Sequence, residues 1–147
     1  MDMTPKEYQD YVAKKAKKSP IVKDTILAFL IGGTICALGQ LIQTGWGALG
    51  LAQEDAGMMT SVTLVFLSIS LTALNLYNKI ARFGGAGTLV PITGFANAVA
   101  SPAIDFRAEG IITGMAAKMF VVAGPVIVFG TVSSVVYGVI YWILQQI

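Results

Sequence analysis

Five polar residues, Thr93, Asn97, Ser101, Asp105 and Glu109, recur every four positions through an otherwise apolar stretch. Ile92, Phe95, Val99 and Ile104 fill the positions between them. A four-residue step drifts by about 40° on a straight helix, so the row winds slowly along one side, and Pro102 stands across its path. Hydroxyl, amide and carboxylate groups in line can replace part of the water around a small polar solute. A helix bathed in lipid does not carry such a row, because polar side chains in hydrocarbon are costly unless paired or wet. Two readings follow. Either the row lines a wet passage or ligand site, or it pairs with a neighbouring helix.

Further polar groups bear on the same chemistry. Arg107 lies between Asp105 and Glu109. Its planar fork can pair with either carboxylate or receive a carboxylate from a substrate. The cluster is either an ordinary loop at the membrane surface or a charged constriction. Lys118 extends a Gly110–Gly114 face, as a snorkelling cation or as one facing an anion route. Gln40 ends a four-residue stripe, Ala28, Gly32, Cys36 and Gln40. It is either a polar end to close helix packing or a pore-lining amide.

Enzyme chemistry has no foothold. The chain contains no His and one Cys, Cys36. That excludes His-based triads, His-ligated metals, an internal disulfide and Cys-cluster metal sites. Gly84 to Gly87 lacks the Lys-Ser/Thr that completes a phosphate loop. The expectation is no enzyme activity, no cofactor, no metal and no nucleic-acid partner.

These groups are positioned by an unusually apolar chain. Of 147 residues, 55% are apolar and 12% charged, about half the charged share of an average soluble domain. Mean hydropathy is +0.72. A chain this size cannot hide so much apolar surface from water, so it reads as an all-α polytopic membrane protein. Residues 1–24 form a polar lead, expected on the cytoplasmic side, and residues 25–147 a membrane domain. In the lead, Thr4, Pro5 and Glu7 predict a capped helix start. Lys14, Lys15, Lys17 and Lys18 follow, and Ser19-Pro20 ends the helix.

About four spans are predicted. The first covers the apolar residues 25–42 and the second residues 56–78. The third, residues 83–104, opens on Gly84-Gly85-Ala86-Gly87 and carries Pro91, Gly94 and Pro102, so it reads as broken or re-entrant. Residues 111–144 would be about 51 Å long as one helix, too long for one ordinary crossing. Gly124-Pro125 is expected to break or kink it there, leaving a short arm and a full span. Gly130, Ser134 and Gly138 form another small-residue stripe, and Gly32, Gly33 and Cys36 mark the first span's packing face. The basic lead and Lys79 and Arg82 after the second span, against Glu54 and Asp55 after the first, put the N-terminus in the cytoplasm.

Several motifs together resemble one family. Gly32-Gly33-Thr34-Ile35-Cys36-Ala37-Leu38-Gly39-Gln40 is similar to the first span of the small SpoVA membrane proteins of spore-forming bacteria. So are Phe83-Gly84-Gly85-Ala86-Gly87, Val90-Pro91-Ile92-Thr93-Gly94-Phe95-Ala96-Asn97, the Glu109-Gly110 pair and Ile127-Val128-Phe129-Gly130. The family pattern has Gly-Ala-Gly directly after Phe. Here an extra glycine stands at Gly84 or Gly85, and Pro102 is a further departure.

The polar lead looks like the AC type of small subunit rather than the AE type. The resemblance implies a subunit of a conduit that moves dipicolinic acid, as its calcium chelate, across the spore inner membrane. It also implies partners of the AD and AE types and a channel discussed as tension-gated. On that view Gln40, Thr93, Asn97 and Ser101 line the route, Arg107 and Lys118 attract the anion, and Asp105 and Glu109 hold calcium or pair with the cations. The alternative is a non-conducting scaffold that holds partner helices through its Gly and Ala stripes.

Overall fold

The computed structural model describes residues 4–15 and 20–146. It is helical throughout, with no strand among the described residues. Helix α1 spans Pro5–Lys15 and is exposed along its length. Its start is the predicted capping box. The Thr4 backbone N–H donates to Glu7 Oε2 at 2.9 Å, the Thr4 hydroxyl donates to the same oxygen at 2.8 Å, and the Glu7 N–H donates to Thr4 Oγ1 at 3.4 Å. Lys15 lies 5.3 Å from the Tyr11 ring centre. Of the predicted stop at Ser19-Pro20, Ser19 lies outside the described residues, as do Lys17 and Lys18, and Pro20 stands directly before α2.

The Thr4 backbone bond first, and its hydroxyl bond second, hold the Glu7 carboxyl below its ordinary range. A depressed carboxyl pKa contributes stability above its unfolded value and loses it as pH falls through the folded one. Acidification is therefore expected to fray the first turn of α1. Amide exchange of Glu7 and Tyr8, whose N–H groups bond Thr4, should speed up in the full chain relative to mid-helix amides. Unchanged relative protection in acid would contradict the box as the source of order.

Helix α2 spans Ile21–Ala48 and α3 spans Gln53–Ala73. As helices of 28 and 21 residues they rise about 42 and 32 Å, enough to cross the hydrocarbon. A four-residue link makes them an antiparallel hairpin. Trp46 Nε1 donates to Thr63 Oγ1 at 3.3 Å, and Gly39 is buried with the Leu64 side chain over it. Asn75, with φ 55°, turns the chain out of α3.

The third predicted span is not one helix. It is divided into α4 (Tyr77–Gly84), α5 (Ala86–Leu89) and α6 (Ile92–Asp105). Gly85, at φ 47° and ψ −124°, separates α4 from α5 in a conformation that side chains disfavour. Pro91 then opens α6 from an extended φ, ψ of −63° and 159°. At 14 residues, α6 rises about 21 Å, short of the bilayer core. Pro102 sits inside it without ending it.

A 3-10 turn (Arg107–Glu109) and a π-helical turn (Ile111–Ala116) lead into α7 (Ala117–Gln145). The expected break at Gly124-Pro125 is absent: α7 runs through it. Proline removes one donor, which would otherwise bond the Val121 carbonyl, and a membrane helix can absorb that single loss. The irregularity lies earlier, in the π turn. Among the described residues, three helices are thus long and apolar enough to cross a membrane: Ile21–Ala48, Gln53–Ala73 and the joined run Ile111–Gln145.

The core of the chain is the α2–α3 hairpin with the broken segment laid against it. α4 and α5 pack on α2, α6 packs on α3, and α7 packs on α6. Close approach makes the α2–α5 contact. A Cβ on Gly87 would collide with the backbone of Ala28, and a Cβ on Gly32 would stand 3.1 Å from Gly87 Cα and from its carbonyl oxygen. The lower half of the predicted α2 stripe is therefore a packing face whose partner is the glycine-rich break itself.

Candidate functional site

The polar row of α6 begins as a sealed junction and ends in the open. Thr93 is 6% exposed. Asn97 and Ser101 are half-buried, and Asp105 and Glu109 are exposed. The gradient follows from length. α3 covers the start of α6, whereas the turn at Arg107–Glu109 carries the chain away from that cover.

At the buried end, Ser68 of α3 donates to the Thr93 carbonyl at 2.6 Å. The Tyr77 hydroxyl lies 2.8 Å from the Thr88 carbonyl and 3.0 Å from Thr93 Oγ1. A phenol has one proton and a carbonyl can only accept. Tyr77 therefore donates to Thr88, and Thr93 gives its proton to Tyr77. One buried side chain of α4 thus holds the end of α5 to the start of α6. Thr88 closes the loop by donating its hydroxyl to the Gly85 carbonyl at 2.9 Å.

One turn on, Thr72 Oγ1 lies 2.7 Å from the Ser68 carbonyl and 2.8 Å from Asn97 Oδ1. The hydroxyl has one proton for the two, and the two ends of an amide are interchangeable at this geometry. Asn97 is held at Thr72 by one end of its amide. The other end makes no hydrogen bond among the described residues, and no side-chain polar atom among them is buried without a partner. Asn97 thus spends half its hydrogen-bonding capacity on α3 and keeps half.

The charged groups of the turn are separate from this junction. Asp105, Arg107 and Glu109 are exposed, and no Lys or Arg nitrogen lies within 4.0 Å of an Asp or Glu oxygen among the described residues. The turn folds against the π segment at Gly114, where a Cβ would meet the Phe106 carbonyl and Glu109. Lys118 is half-buried with its ammonium 4.5 Å from the Phe106 ring centre. That cation–π contact ties the start of α7 to the end of α6.

Other predicted residues stand elsewhere. Gln40 is exposed on α2, which packs on α3, α4 and α5 rather than α6. The chain by itself does not join Gln40 to the α6 row. Gly33, Cys36, Gly130, Ser134 and Gly138 are also exposed, and a Cβ at Gly33, Gly130 or Gly138 would meet open space. The packing partner predicted for these stripes is not supplied among the described residues. α6 is too short to accompany α7 along its length.

The residues the sequence reading missed are Tyr77, Ser68, Thr72 and Thr88. The signal for part of this set was available. Ala56, Thr60, Ser68 and Thr72 are the buried positions of α3, and all fall on one four-residue ladder. It is the spacing that marked α6, on the helix that faces it.

A broken, polar-lined helix wedged into an apolar hairpin defines a small polytopic membrane protein with an internal hydrogen-bonded seam. Residues 24–140 match the SpoVAC/SpoVAEB sporulation membrane protein family, and the chain belongs to that family. It is 40% identical over 141 residues to stage V sporulation protein AC of Bacillus subtilis (strain 168), covering 95% of this chain and 94% of that protein. No solved structure matches the chain.

Proposed function

We propose that this chain is a conduit subunit that moves dipicolinic acid, as its calcium chelate, across the inner membrane of the forespore and spore. The observation that carries the reading is the graded row on α6. A short helix too brief to cross presents Asn97 with half its amide free, then Ser101, then exposed carboxylates beside Arg107. Each step is one turn from the last. A flat dianion passing from the turn toward α3 would meet Arg107 first and amide and hydroxyl groups next, while Asp105 and Glu109 suit its calcium. Lys118, held on Phe106, contributes its charge from the side.

The row's outer half is uncovered, and Gln40 lies on another face. A closed passage therefore requires further chains, in keeping with partners of the AD and AE types. On this reading α4 to α6 form a re-entrant element, the N-terminus is cytoplasmic, and transport is passive, without enzymatic turnover. The exposed Gly130, Ser134 and Gly138 on α7 favour a second role beside it, as a scaffold face for those partners.

Two measurements together test this. Spores lacking the chain are expected to lose most of their dipicolinate. Liposomes holding the chain with its AD- and AE-type partners are expected to release trapped calcium dipicolinate, under membrane tension or without it, while liposomes holding the partners alone retain it. Equal release with and without this chain would leave only the scaffold role.

A further inference from the structure

A second site lies at the other side of the hairpin, where the N-terminal end of α2 meets the break between α4 and α5. A groove of about 490 Å³ opens there, lined by Ile21, Asp24, Thr25, Ala28, Arg82 and Phe83, with Gly85 and Ala86 at its edge. Its size falls within the range of small-molecule sites, about 300–1,000 Å³. The lining has two characters. Ile21, Ala28 and Phe83 make an apolar wall, and Ile21 and Phe83 are largely exposed, at 77% and 64%. Asp24 and Arg82 bring one charge of each sign.

These two charges share the groove without pairing, since no ion pair within 4.0 Å forms among the described residues. Opposite charges on one concave surface that do not neutralise each other suit a ligand carrying both signs. Thr25 does not compete for it, because its hydroxyl donates back to the Ile21 carbonyl at 2.8 Å. The position narrows the ligand further. Lys23, Asp24, Lys79 and Arg82 mark the polar end of the spans, so the groove sits at the membrane–water boundary with its apolar wall running toward the hydrocarbon.

We propose that this groove binds the headgroup of a zwitterionic phospholipid with a primary amine, of the phosphatidylethanolamine class. Arg82 takes the phosphate through its guanidinium fork. Asp24 takes the ammonium, and an acyl chain lies along Ala28 and Phe83, while Ile21 borders the headgroup. The lipid would brace α2 against the α4–α5 break, next to the Gly32–Gly87 contact. The inference is independent of what the α6 row conducts.

The test uses the purified full chain in detergent, with bound lipid counted by native mass spectrometry. Phosphatidylethanolamine is expected to bind about tenfold more tightly than phosphatidylglycerol, which has no amine, and than phosphatidylcholine, whose quaternary amine cannot donate. Asp24→Asn should erase the preference for ethanolamine over glycerol headgroups. Arg82→Gln should weaken all three. Both residues are exposed, so the variants should fold, which unchanged thermal melting of the lipid-free protein checks. Equal binding of the three lipids to the unaltered chain would overturn the proposal. So would an undiminished ethanolamine preference in Asp24→Asn. Soluble phosphoethanolamine binding as tightly as the diacyl lipid would overturn its assignment to a membrane lipid.

Discussion

Gly87→Ala is expected to remove most of the protein from the membrane. A Cβ at that position would overlap the backbone of Ala28, its carbonyl oxygen first. No rotamer relieves a clash between backbones, so α5 would have to back away from α2. Overpacking typically costs about 1–3 kcal/mol when side chains can yield, and here none can. The loss should lie at or above the upper end, against a total stability of about 5–15 kcal/mol for typical domains. Separating α5 from α2 also uncovers Gly32 and loosens the turn that Tyr77 and Thr88 tie together. Gly33→Ala is the matched control, since its Cβ would meet open space. It should accumulate and melt like the unaltered chain, within about 0.5 kcal/mol. Membrane-fraction immunoblots and melting of the detergent-solubilised protein check the pair. Equal behaviour of the two variants would mean that the α2–α5 approach is not as close as described.

Asn97→Leu is expected to leave the protein in the membrane and stop dipicolinate loading. The substitution loses the bond to Thr72, and interhelical hydrogen bonds in membranes are worth only about 0.6–1.7 kcal/mol. Leucine returns part of that through apolar contact with α3, so accumulation should fall little. The free end of the amide has no such replacement. Its removal leaves the innermost turn of the proposed route, beyond Ser101, without a polar group. A tenfold drop in flux corresponds to about 1.4 kcal/mol of barrier, and a hydrogen bond to a charged solute is worth about 1.5–3 kcal/mol. Spore dipicolinate should therefore fall by at least about tenfold at equal protein level. Thr72→Val separates the two functions of Asn97, because it removes the anchor and keeps the amide. It should cost stability with a smaller loss of loading. If instead both variants lower dipicolinate only in proportion to the protein lost, the seam is packing and nothing passes along it.

The capping box of α1, the two apolar spans and the interruption after Phe83 could all be read from residue type and spacing. Each depends on local chemistry: Thr4 and Glu7 are three residues apart, and the interruption is made by Gly85 at positive φ and by Pro91 at the start of α6. The polar row was visible for the same reason, since a period of four is a property of one element. Its partners were not. Ser68 and Thr72 meet α6 across 25 residues of chain, and Tyr77 reaches Thr88 and Thr93 across 11 and 16. At Gly124-Pro125 the break, one of the two expected outcomes, is not realised, since α7 runs through it. A strong local breaker was absorbed because one missing hydrogen bond does not outweigh the continuous apolar helix around it.

Composition alone required a lipid environment, because so few charged residues leave no other solvent for so much apolar surface. Which polar groups are sealed and which stay free was decided by tertiary contact. Asn97 and Gln40 are amides on similar helical stripes. One is bound at one end because α3 lies beside it, and the other is exposed because no described element packs onto that face of α2. A hydrogen bond needs two groups within about 3 Å of each other, and only the fold brings distant residues that close.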